Sequence, residues 1–221
     1  MKGRPNTNVF LVGVGGQGIV LASRILAQLA FSAGLDVKQN EVHGLSQRGG
    51  SVTGHVRWGE KVFSPVIMEG EAHYLYALEE LEALRWAHFV RTDGLIVVNR
   101  HRILPAAVTA GGEAYPDDIP GRLAEYGRVL PVDAQAVASE LGNVRAANIV
   151  LLGAMSARDP EFSAEQWRSA VAECVPAKHR DLNLAAFDRG RALAIAAPCS
   201  AKPGLATQGE AEPPSPASGN A

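Results

Sequence analysis

The sequence predicts an α/β domain of Rossmann-like type: a mostly parallel sheet with helices on both faces and an inserted β-hairpin. Short apolar runs of strand type alternate with segments of helical periodicity along most of the chain. A glycine-spaced turn, Gly13-Val14-Gly15-Gly16-Gln17-Gly18, stands between the first such run and the first helix. The chain has 221 residues, 47% of them hydrophobic and 20% charged, which suits one domain with a full core.

The elements follow in order. "VFLV" (Val9–Val12) is a strand ending in glycine, and a helix runs from about Gln17 to Ser32. Its polar residues Gln17, Arg24, Gln28 and Ser32 fall on one narrow stripe, so most of its surface seeks cover from neighbouring helices or from another chain. Val37–Glu41 is a second strand, and "HGLSQRGG" (His43–Gly50) is a loop. "SVTGHVRW" alternates Val52, Gly54, Val56 and Trp58 against polar neighbours; with "GEK" as a turn and "VFSPVI" as a return strand it reads as the hairpin. "AHYLYAL" and "GLIVVN" are strands on either side of the helix "EELEALRWAHFV", whose acids read as a solvated face. "GRVLPVDAQAVASELGN" reads as strand then helix, with Asp133 as N-cap and Gly142 as stop. "AANIVLLGAMSA" is an apolar helix, Ser163 and Gln166 have capping-box spacing, and a last helix covers Leu184–Ala196. The domain spans residues 7–196; residues 197–221, rich in Pro, Ser, Ala and Gly, read as a disordered tail.

Charge and composition exclude several classes. A net charge of −2 offers no basic face to nucleic acid. "MKGRPNTN" leads into no signal-type apolar segment, and no run approaches the ~20 residues of a membrane span, so a soluble, cytoplasmic protein is expected. Two cysteines, Cys174 and Cys199, are too few thiolates for an iron–sulfur cluster. The six histidines show no paired metal spacing; His55 reads as an exposed strand position, Trp58 and Trp167 as packing aromatics. Gly44-Leu45-Ser46-Gln47-Arg48 lacks the final glycine of a nucleophile elbow, so no catalytic or metal-binding residue is assigned to this chain.

Two stretches carry the candidate site. In the first loop, glycines permit a tight turn, close ligand approach and close helix packing, and main-chain N–H groups at the helix start favour an anion. It is not a Walker loop, because Ile19 and Val20 stand where lysine and a hydroxyl residue are required. The second stretch gathers Glu41, His43, Gln47, Arg48, Gly49 and Gly50; Arg48 can fork onto a phosphate or pair internally with Glu41. From these residues alone three readings stay open. One is a site-completing subunit, one a free-standing NAD- or flavin-binding oxidoreductase domain with Glu41 as the ribose acid, and one a scaffold that binds no small molecule.

"GVGGQGIVLASRILA" followed by "EVHGLSQRGGSV" resembles the gamma-type domain of the 2-oxoacid:ferredoxin oxidoreductases, over roughly residues 8–190 and including "GEAHYLYALEELEALR". This chain has His73 where the family usually has Asp. The resemblance implies a hetero-oligomer that oxidatively decarboxylates arylpyruvates, with coenzyme A taking the acyl group and ferredoxin the electrons. It places thiamine diphosphate, Mg and iron–sulfur clusters on a large (alpha) subunit and none on this chain. By carry-over, Gly13, Gly15, Gly16, Gln17 and Gly18, with Glu41, His43, Gln47, Arg48, Gly49 and Gly50, face that subunit and coenzyme A.

Overall fold

The computed structural model of the chain describes residues 6–43, 50–109, 111–112 and 114–200. Its strands are β1 (Thr7–Val14), β2 (Asp36–His43), β3 (Ser51–Gly59), β4 (Ala72–Ala77), β5 (Val90–Asn99) and β6 (Arg128–Val132). They form one sheet in the order β2-β3-β1-β4-β5-β6. β1, β4, β5 and β6 run parallel, β3 lies antiparallel to β1, and β2 antiparallel to β3.

Strands buried on both faces read as continuous apolar runs, and the central strands do so for that reason. Val9, Leu11, Tyr76 and Val97 point into a core shared with α1 (Ile19–Ser32), α5 (Ala134–Glu140), α6 (Ala147–Ser156), α7 (Ala164–Cys174) and α8 (Arg180–Ala196). Phe10, Val12, Leu75, Ile96 and Val98 pack on the other face beneath α2 (Glu80–Trp86) and α4 (Ile119–Leu123); a one-turn α3 (Ala106–Thr109) lies in the segment between β5 and α4. All ten residues of α6 are buried. α8 crosses it so closely that a Cβ on Gly190 would stand 1.8 Å from the Val150 carbonyl oxygen. Asp133 caps α5 through the Ala136 N–H, and Ser163 and Gln166 form the reciprocal box at the start of α7.

The inserted hairpin is corrected. β3 pairs with β1 and β2, and the expected return strand is irregular chain. The physical reason is visible in β3: Thr53 and His55, its apparent polar face, are buried along with Val52 and Val56. β3 is an interior strand whose two edges are taken by β1 and β2, so no edge is left for a return strand. Pro65 has no N–H for a ladder. Side chains hold that segment instead: Arg57 donates to the Ser64 and Val66 carbonyls at 3.1 and 2.7 Å, and the Ile67 N–H donates to His55 Nδ1 at 3.2 Å.

At the far edge Ser200 pairs with Val129 of β6, N–H to O in both directions at 2.8 and 3.0 Å. The residues expected to form a tail therefore begin with four described ones, and 201–221 lie outside the described residues.

Candidate functional site

In open α/β sheets ligands bind beyond the carboxyl ends of the strands, where neighbouring strands send their connections to opposite faces. β1 and β4 are such a pair: α1 leaves β1 for one face and α2 leaves β4 for the other. The glycine turn lies at this point. Gly16 and Gly18 have φ of +100° and +96°, values that L side chains resist. At Gly18 a Cβ would also stand 2.5 Å from Asn148 Nδ2. The third glycine of the motif thus makes room for α6, not for helix–strand packing.

Gln17 closes the turn from inside. Its Oε1 accepts the Val14 N–H at 2.7 Å, and its Nε2 donates to the Leu78 carbonyl at 3.1 Å. Asn99, at the end of β5, donates to that same carbonyl at 3.3 Å and accepts the Ala134 N–H at 3.0 Å. These two amides tie the ends of β1, β4 and β5 and the start of α5 into one rigid rim.

Inside the rim is a cavity of about 370 Å³, lined by Gly16, Gly18, Asn99, His101, Arg145 and Asn148 among others, with no carboxylate in its wall. α1 starts between this cavity and a second one of about 410 Å³ lined by Gly15, Ile19, Val20 and Val52, without a side-chain cap and without an acid in its first turn. The Ile19, Val20 and Leu21 N–H groups precede the first intrahelical bond, Ala22 N–H to Gly18 O at 3.1 Å. That combination favours an anion. Opposite, Arg145 is exposed and pairs with no carboxylate among the described residues. Asn148, 3% exposed, donates from Nδ2 to the Gly18 carbonyl at 3.4 Å, while its Oδ1 has no hydrogen-bond partner. Beneath it the Tyr76 hydroxyl donates to the Asn148 carbonyl at 2.5 Å, and burial pushes that phenol far above its ordinary range.

The second stretch reaches the same corner. The Gly15 N–H donates to the Gly50 carbonyl at 2.9 Å, and β2 ends at His43 in register with Val52 of β3. Gln47, Arg48 and Gly49 lie outside the described residues. Glu41 is set apart: it accepts a hydrogen bond from Ser23 on the flank of α1. It sits on the edge strand, two strands from β1 and so ~10 Å across the sheet. An acid that reads the ribose of a dinucleotide belongs at the end of the strand beside β1, so this position argues against the free NAD-binding domain.

Sequence reasoning missed Asn99, His101, Arg145 and Asn148. Two of them had a legible signal, a lone asparagine at the boundary of an apolar run: "GLIVVN" for Asn99 and "NIVLLGAM" for Asn148. Two expectations are corrected. Glu79, Glu80 and Glu82 are buried, not solvated. Glu79 accepts from the Ile103 N–H and the Tyr115 hydroxyl, Glu80 pairs with Arg102 at 2.6 Å, and Glu82 pairs with Arg85 and accepts from Ser51. Glu79 and Glu80 fasten the chain after β5 to the rim, and Glu82 ties α2 to the start of β3. His55 is buried against Phe10, ring centroids 4.7 Å apart, and burial lowers its pKa. Among the described residues no three His, Cys, Asp or Glu side chains come together to hold a metal ion, and no helix is long and apolar enough to cross a membrane.

The profile of the pyruvate ferredoxin/flavodoxin oxidoreductase family matches residues 8–193. The chain belongs to this family. It is 43% identical over 192 residues to indolepyruvate oxidoreductase subunit IorB of Archaeoglobus fulgidus, covering 85% of this chain and 95% of that one. With the subunit of the same name from Pyrococcus horikoshii it shares 40% over 189 residues, 83% and 93% of the two chains. The keto/oxoacid ferredoxin oxidoreductase gamma subunit of Geobacter sulfurreducens superposes with a TM-score of 0.65 at 25% identity, over 86% of this chain and 99% of that one. Family members of this kind are subunits, and this chain is a subunit of a multi-subunit oxidoreductase of the 2-oxoacid:ferredoxin class.

Proposed function

We propose that the chain is the small subunit of an indolepyruvate:ferredoxin oxidoreductase that works in the cytoplasm. Its large (alpha) subunit carries thiamine diphosphate, Mg and the iron–sulfur clusters. The reaction releases the substrate carboxylate as carbon dioxide, joins the acyl carbon to the coenzyme A sulfur as a thioester, and passes the electrons to ferredoxin. The small subunit's part is to complete the coenzyme A path. The observation that carries this reading is the uncapped N-terminus of α1, whose Ile19 and Val20 line a cavity of about 410 Å³ together with Gly15 and Val52, beside Gly50. Arg48, in the stretch between β2 and β3, is the cation this reading assigns to coenzyme A. The supply of redox groups from a partner agrees with the two cysteines of the chain.

The test is co-expression with the large subunit and an assay of coenzyme A- and ferredoxin-dependent decarboxylation of indolepyruvate. Activity that needs both chains supports the reading; turnover by this chain alone, or no association with the large subunit, overturns it. Within the assembled enzyme Arg48→Ala should raise the KM for coenzyme A about tenfold, the scale of one charge-assisted hydrogen bond. An unchanged KM and kcat would remove coenzyme A from this corner.

A further inference from the structure

The chain between β3 and β4 is irregular, yet its backbone is held at many points. The Val62 N–H donates to Asp36 Oδ2 at 2.9 Å, and the Met68 N–H to Glu71 Oε2 at 3.3 Å. Arg57 and His55 hold the main chain at Ser64, Val66 and Ile67, and the Gly70 N–H donates to the His88 carbonyl at 3.1 Å. Val62 and Ile67 are buried beneath the segment, whereas Phe63 is 89% exposed, Met68 62% and Val66 45%. A single exposed apolar side chain needs no account; a cluster on a fixed main chain does. Side chains presented on such a frame lose little freedom when a partner covers them. Beside the segment, at the amino ends of β1, β4 and β5, lies a cavity of about 580 Å³ lined by Arg57, His73 and Arg91 among others. Arg57 is half-buried and bonds Asn8 Oδ1 and main-chain carbonyls, but pairs with no carboxylate among the described residues. Arg91 pairs with Asp93 and is 40% exposed. His73 accepts the Asn8 N–H at Nδ1, which puts the proton of its neutral ring on Nε2. Glu71, the carboxylate in this wall, is engaged by the Met68 N–H.

We propose that this surface docks the large subunit: Phe63, Val66 and Met68 pack on an apolar patch of it, and Arg57 and Arg91 pair with a carboxylate that enters the cavity. The inference rests on the small-subunit reading above and adds where the two chains meet. Aromatic, methionine and arginine side chains are the types enriched where chains associate. Charge selects the occupant. A second copy meeting this patch about a two-fold axis would set the same guanidinium groups against each other, whereas an acidic surface complements them. In ketoisovalerate oxidoreductase subunit VorA of Methanothermobacter thermautotrophicus, 30% identical over 190 residues, the matching region is 36% of the chain. There a domain of this kind is joined in one polypeptide to parts that this chain lacks. The cavity lies at the end of the sheet opposite the glycine turn, so its variants should act on assembly and leave coenzyme A alone.

The co-expressed complex decides the matter by the Kd between its chains, read from sedimentation velocity over a dilution series. Phe63→Ala should raise Kd about tenfold, the scale of an interface hot spot, and Phe63→Ser combined with Met68→Ser about a hundredfold. Arg91→Glu should raise it about tenfold and weaken its dependence on salt. Ile195→Ser removes a side chain 66% exposed on α8 and should change Kd less than about twofold. In the natural complex the Phe63 and Ser64 N–H groups, without a partner among the described residues, should exchange with deuterium about tenfold more slowly than in an unstructured peptide. This last measurement needs no variant, so it decides even if a substitution fails to fold. Chains that associate with Kd unchanged in all the patch variants, and with free exchange at Phe63, leave the small-subunit reading in place and remove this inference. A complex of two small subunits that Phe63→Ala separates makes the occupant a second copy and overturns it as well. If the natural chains do not associate at all, both fall.

Discussion

The two ends of the sheet are built on opposite rules. At the amino ends of the parallel strands many side chains bond one another, with Trp86 Nε1 and Arg158 Nε left over. Glu161 accepts from Thr7 and from the Trp58 indole, at 3.1 and 2.9 Å, and Asp159 accepts from the Trp167 indole at 2.9 Å. His73 Nδ1 accepts the Asn8 N–H at 3.1 Å, and Asn8 in turn bonds Glu71 and Arg57. At the carboxyl ends a stapled rim surrounds groups left open: the first N–H groups of α1 and the exposed Arg145 guanidinium. Networks that satisfy themselves hold a fold, whereas open polar groups on a rigid frame await a ligand. Stability and function should therefore separate by location.

The separation is broken or sharpened by variants, taken from the largest effect. Trp58 is buried and carries the indole that Glu161 receives. Trp58→Ala should cost ~3–5 kcal/mol in urea unfolding and leave the coenzyme A KM of surviving enzyme unchanged; an altered KM would join the two ends. Gly18→Ala forces a side chain into φ +96° and against Asn148, so it should cost about 1–3 kcal/mol. It should also raise the coenzyme A KM, which marks the rim as both structural and functional; a loss of stability alone would place it with the opposite end.

Acid should act at the structural end. Burial holds the pKa values of His55 and His73 below the ordinary 6.5, so folding favours their neutral forms. Their contribution to stability is complete above pH ~6.5 and is lost as pH falls through the lowered values. Asp159 acts with the opposite sign: burial raises its pKa above 3.8, so its contribution is present at low pH and lost as pH rises through the raised value. His73→Asn keeps an acceptor for the Asn8 N–H without a titrating group. Urea unfolding at pH 7.5 and 5 should show a smaller loss in that variant than in the natural protein; equal losses would clear His73 of the effect. The smallest change belongs to Arg145→Ala, which should alter stability by no more than ~0.5 kcal/mol, as exposed substitutions do. A larger loss would mean that Arg145 serves the fold.

Local signals were legible where local physics suffices. Asp133 and the Ser163–Gln166 box needed nothing beyond their own helix, and the glycine turn announced itself between strand and helix. The hairpin was not legible, because Thr53 and His55 are polar by type and buried by position, and a strand's second partner lies outside its own window. The same limit hid Glu79 and Glu82, whose partners Tyr115 and Ser51 lie 36 and 31 residues away.

The amino-acid order by itself determined the α/β class, the caps and the glycine turn, since each follows from residue types and short spacings. Tertiary structure alone decided which polar groups would be satisfied. Asn148 and Gly18 are 130 residues apart in the chain and within 3.4 Å in the fold. Whether an amide is left open depends on what packing brings to it, and that is a property of the assembled sheet and helices.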